Sequence, residues 1–78
     1  MPPEELWERL RRQPFEPFRM YLTDGASYEV RHPELVMVGR RSAVVGVSRA
    51  ERQPPLYDHT TTVALTHVVR LEPLAATA

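Results

Sequence analysis

Residues 18–30, Phe-Arg-Met-Tyr-Leu-Thr-Asp-Gly-Ala-Ser-Tyr-Glu-Val, alternate apolar and polar side chains on both sides of Asp24-Gly25. Alternation around Asp-Gly is the strongest short-range signal for a β-hairpin. Loop length then decides which residues face each other. A two-residue loop sets Met20 against Glu29 and Phe18 against Arg31, mixing apolar and charged groups on each face. A three-residue loop, Thr23-Asp24-Gly25, sets Met20 against Tyr28, Phe18 against Val30 and Arg19 against Glu29. Only the second makes an apolar row on one face and a charged pair on the other. It requires Gly25 in the left-handed conformation as a bulge, which glycine adopts without steric cost.

A hairpin with one greasy face needs something to cover it. The chain has 78 residues, enough for one domain near the lower limit of a self-sufficient core. No cysteine is present, so neither disulfides nor cysteine metal sites can staple the domain, which favours oligomerisation. Ten arginines, no lysine and ten acidic residues give a formal net charge of +0, which argues against a generic polyanion binder while leaving room for local clusters. No apolar run approaches the ~20 residues of a membrane helix. The acidic start, Met-Pro-Pro-Glu-Glu, does not read as a secretory signal, so a cytoplasmic location is expected.

Along the chain, a helix is expected over residues 3–12. Pro2 and Pro3 suit its opening, Glu4 and Glu5 its positive end, and Arg11 and Arg12 its negative end. Leu6, Trp7 and Leu10 form an apolar stripe, with Trp7 read as the docking anchor. Glu5/Arg9 and Glu8/Arg12 have i,i+4 ion-pair spacing. Strands are expected over 18–23, 26–38, 43–49, 59–65 and 68–72, with Pro33 marking a bend, bulge or edge position inside the second. Leu35-Val36-Met37-Val38 and Ala43-Val44-Val45-Gly46-Val47 do not alternate, so both of their faces are expected to be covered. Residues 48–57 read as a loop, with Arg49 to Arg52 at a solvated tip, and residues 74–78 as a flexible tail. The expected fold is mainly β: a single domain over residues 1–73, with an N-terminal helix and a strongly bent five-stranded antiparallel sheet or small barrel.

This arrangement resembles the Sm-like small barrels, most closely bacterial Hfq. Leu10-Arg11-Arg12, Pro17 and Met20-Tyr21-Leu22-Thr23-Asp24-Gly25 look like the helix end, connector and first hairpin of Hfq. Residues 65–73, Leu-Thr-His-Val-Val-Arg-Leu-Glu-Pro, look like its last corner and strand, with His67 at the place of the histidine of its Lys-His pair. The chain departs from the pattern at His32-Pro33, where Sm proteins bend at a glycine. It also departs at Gly39-Arg40-Arg41-Ser42, where they carry Asp and Asn, and at Thr66, which replaces the lysine. The resemblance implies a homo-oligomeric ring of about five to seven subunits closed by edge-strand pairing. It places Arg40-Arg41 and Thr66-His67 near the pore, and Arg11-Arg12 near the rim.

The functional expectation is non-catalytic RNA binding through Arg40, Arg41, Ser42, Thr66 and His67, with Arg11 and Arg12 as a lesser patch. Two arginines per subunit, repeated around a ring, make a positive funnel for phosphates. The same pair also fits a solvated charged turn, and His67 fits either a base contact or a plain polar corner. The alternative is a structural or protein-interaction module with the same barrel and no nucleic-acid site. No enzyme is expected: there is no phosphate loop, nucleophile elbow or paired-acid arrangement. His32, His59 and His67 share no metal-ligand spacing, so no metal, cofactor or small-molecule substrate is expected. Trp7, Tyr21, Tyr28 and Tyr57 would become nucleic-acid platforms if they lay beside arginines rather than beneath other side chains.

Overall fold

The computed structural model describes residues 1–48 and 56–74. The expected loop tip at Arg49 to Arg52 and the tail beyond Leu74 lie outside the described residues. Helix α1 spans Pro3–Leu10, with Pro2 as its N-cap and Pro3 in the first turn, where an absent N–H costs nothing. It ends before the expected residue 12, because Arg11 leaves helical geometry at φ −99° and ψ 5°. The docking anchor is Leu6, which is 0% exposed, and Trp7 is half exposed at 50%, against the expectation. Leu6 and Leu10 sit four residues apart on one face, whereas Trp7 is turned about 100° from Leu6.

Six strands follow: β1 (Phe18–Leu22), β2 (Ser27–Val30), β3 (Val36–Val38), β4 (Ser42–Val47), β5 (His59–Ala64) and β6 (Val68–Pro73). They form two three-stranded antiparallel sheets, in the orders β2-β1-β6 and β3-β4-β5. This corrects the expected five-stranded sheet and small barrel: among the described residues there are six strands, and the two sheets do not close into a barrel. Pro33 is the physical reason. It opens a 3-10 turn, Pro33–Leu35, that splits the expected strand 26–38 in two, since proline has no N–H to give to a ladder. β2 then pairs with β1, and β3 with β4.

The hairpin register is the one its sequence demands. Phe18 faces Val30, Arg19 faces Glu29 and Met20 faces Tyr28. Gly25 has φ +90°, its N–H donates to the Leu22 carbonyl at 3.1 Å, and the Leu22 N–H donates to the Ala26 carbonyl at 2.9 Å. The Asp24 carboxylate accepts from the Ala26 N–H at 2.9 Å, bracing the three-residue loop.

The core lies between the two sheets and under α1. Its buried members are Leu6 from the helix, Phe18, Met20, Val30 and Val68 from the first sheet, Val36, Ala43, Val45 and Val63 from the second, and Leu65 from the corner. Each strand of the second sheet therefore commits one face inward, and its outer face is covered only in part. At Gly46, a Cβ would meet Tyr57 Cβ at 3.1 Å and Leu35 Cδ2 at 3.3 Å, so these side chains shield that end. Further along the outer face, Met37 pairs with Val44 and is 67% exposed. The single chain leaves that part of the face open, where the sequence reading expects barrel closure or a partner subunit to cover it.

Gly25→Ala is expected to lower stability by about 1–2 kcal/mol through backbone conformation alone, since open space surrounds the new Cβ. Leu6→Ala should cost about 2–5 kcal/mol by removing the helix anchor. Urea unfolding followed by circular dichroism measures both; equal stability of either variant with the parent contradicts the account.

Candidate functional site

Three segments meet at one end of the molecule because of Leu65. This residue is 2% exposed and starts a 3-10 turn, Leu65–His67, that joins β5 to β6. Its N–H donates to the Arg41 carbonyl at 2.8 Å, and its carbonyl accepts from the Met1 amino group at 3.0 Å. The start of α1, the turn between β3 and β4 and the corner are thereby held together. Gly39 N–H donates to the Ser42 carbonyl at 2.7 Å, closing the turn that presents Arg40 and Arg41. Both arginines are exposed, and among the described residues neither guanidinium has a hydrogen-bond or ion-pair partner.

Of the expected site residues, Arg40, Arg41, Ser42 and Thr66 come together at this end. His67 sits in the same 3-10 turn, with its side chain used structurally. The Thr23 hydroxyl and His67 Nδ1 lie 3.1 Å apart, and the Thr23 N–H donates to the His67 carbonyl at 2.8 Å. Together they fasten the first hairpin to the corner. A groove of about 320 Å³ runs beside this tie, lined by Asp24, Tyr28, Thr61 and Thr62 among others.

Arg11 and Arg12 part company. Arg12 pairs with Glu16 at 3.1 Å, whereas the Arg11 guanidinium lies 4.2 Å over the Trp7 ring. The expected Glu5/Arg9 and Glu8/Arg12 ion pairs do not form; Arg9 lies 5.3 Å over Phe18 instead. Trp7, Pro3, Glu4, Val38, Gly39 and Arg40 line a cleft of about 300 Å³ between α1 and the arginine turn. Trp7 is thus a site residue that reading the apolar stripe assigned to the core. The spacing Pro3, Trp7, Arg11, four residues apart each time, is the signal that would have placed it on a separate, arginine-flanked face.

The arginines at the first sheet are ion-paired, with Arg19 and Arg31 sharing one carboxylate. On the outer face of the first sheet Arg19 pairs with Glu29, Arg31 with Glu29 at 3.0 Å, and Arg70 with Glu72 at 2.7 Å. Arg70 also lies 4.1 Å over the Tyr21 ring. The Arg19 hydrogen bond, helped by Arg31, holds the Glu29 carboxyl below its usual range, and Glu29 in turn raises the Arg19 guanidinium. Among the described residues no group of three His, Cys, Asp or Glu is placed to hold a metal ion, and no helix is long and apolar enough to cross a membrane. Compared with protein-family models, curated proteins and solved structures, the chain matches none.

Because the Glu29 carboxyl is depressed in the fold, its contribution to stability is present above its unfolded value. That contribution is lost as pH falls through the folded value. Carboxyl NMR titration should place Glu29 below the ordinary 4.5, and Arg19→Ala should move it back up. An unchanged Glu29 titration in that variant would contradict the assignment.

Proposed function

We propose that this chain is a non-catalytic, cytoplasmic RNA-binding protein of the Sm/Hfq-like type, working as a homo-oligomeric ring of about five to seven subunits. One observation carries the RNA reading: Arg40 and Arg41, with no carboxylate partner among the described residues, are braced against the Thr66-His67 corner by the Leu65–Arg41 backbone bond. Guanidinium groups presented this way suit phosphate, which they grip in bidentate fashion. Repeated around a ring they would concentrate positive potential that a formally neutral chain otherwise lacks.

The ring is supported by the strand order. Among the described residues β5 pairs only with β4, and β6 only with β1, so each of these six-residue strands has an edge without a strand partner there. Rows of unpaired backbone N–H and C=O groups are templates for pairing with another copy. Exposed Met37 and Val69, the latter 53% exposed at the bulge in β6, add apolar surface for such contacts. Those apolar groups equally support the second reading, an assembly or protein-interaction module without a nucleic-acid site.

Fluorescence anisotropy with labelled oligoribonucleotides should detect binding at low salt that weakens steeply as salt rises. Arg40→Ala with Arg41→Ala should reduce the salt slope by about one for each arginine that meets a phosphate. Absence of binding at low salt overturns the RNA reading, and a multimer without binding favours the second. Light scattering that finds a single 9.0 kDa species at micromolar concentration overturns the ring.

A further inference from the structure

We propose that the cleft between α1 and the arginine turn is a guanine-selective pocket for one unstacked base of single-stranded RNA, with Trp7 as its stacking platform. This rests on the RNA reading above and adds a ligand subsite to it. Trp7 is half exposed, and Leu6 beside it already supplies the apolar anchor, so burial does not account for an indole at this position. The Arg11 guanidinium lies 4.2 Å over the ring and covers one of its two faces, and Arg11 is not among the residues that line the cleft. The cleft, about 300 Å³, is shallow and open to solvent, so a base can reach the Trp7 ring without any movement of the fold and stays partly exposed on it.

The lining chemistry selects among bases. Pro3, Trp7 and Val38 supply flat or apolar surface, and Arg40 brings a cation without a carboxylate partner among the described residues. Glu4 is the only carboxylate of the lining. An ionised carboxylate accepts hydrogen bonds and donates none. Guanine offers two adjacent donors, N1–H and N2–H, on its Watson–Crick edge, matching two carboxylate oxygens. Adenine, cytosine and uracil each set an acceptor beside their donor on that edge, which a carboxylate repels. A base stacked on Trp7 leaves its phosphate to Arg40 at the mouth, and the strand can then continue along Arg41 towards the corner.

Trp7 is the only tryptophan, so its emission reports the cleft directly. Titration of the full chain with short G-, A-, C- and U-containing oligoribonucleotides should quench Trp7 with the G-containing one at the lowest concentration. Trp7→Leu should weaken binding of that oligonucleotide about tenfold or more by anisotropy, Trp7→Phe should restore part of it, and far-UV circular dichroism checks that both variants fold. Glu4→Gln should remove the preference for G, weakening the G-containing oligonucleotide and strengthening the other three, which no longer meet a repelling carboxylate. If oligonucleotides bind in an Arg40- and Arg41-dependent way but leave Trp7 emission unchanged, the pocket is overturned and the RNA reading stands. Equal quenching by all four overturns the guanine selectivity, and no binding of any oligonucleotide overturns both readings.

Discussion

Two of the backbone hydrogen bonds of Leu65 hold three segments of this protein together at one end. One goes to the turn between β3 and β4, the other comes from the amino terminus, and the side chain between them is buried in the core. Each bond alone is worth about 1 kcal/mol, but both are anchored by a side chain whose burial adds about 2 kcal/mol more. The result is a rigid joint between a helix, a hairpin turn and a corner that are far apart in sequence. Arginines on an unsupported turn would spend their entropy on every ligand; here the turn beneath them is already set.

Much of the fold follows from local rules that agree with one another. The hairpin was legible to the residue pair because apolar alternation, the Asp24-Gly25 dipeptide and the Arg19–Glu29 charge match demand one register. The break at Pro33 was legible as a position but not as an outcome. A proline at a strand edge and a proline that opens a 3-10 turn leave the same trace in sequence, and Leu35 decides between them by packing beside Gly46. Helix α1 shows the opposite failure. Leu6, Trp7 and Leu10 look like one stripe when counted, yet only two of them share a face, and the third was free to serve another purpose.

Charge was the least legible layer. A net charge of zero conceals how charges are sorted in space. Glu29 sits where it takes both Arg19 and Arg31, Glu72 takes Arg70, and Glu16 takes Arg12. These exposed pairs add little to stability individually. Their effect is to remove carboxylates and guanidiniums together from the first sheet, leaving uncompensated positive charge at the turn. Helix spacing had offered Glu5 to Arg9 and Glu8 to Arg12, but Arg9 lies over Phe18, and Arg12, beyond the helix end, takes Glu16 instead.

The corner that braces the arginine turn also joins β5 and β6, two of the four edge strands among the described residues, so those two edges and the turn are mechanically one unit. Leu65–His67 sets how β6 departs from β5, and the His67–Thr23 contact ties that departure to the first hairpin. Any shift of β5 against β4 must move Ala64 relative to Ser42, and with it the Leu65–Arg41 bond. A strand added along either edge would therefore stiffen the turn without touching it. Copies joined there would present their arginines in fixed relation, which an isolated surface loop could not do.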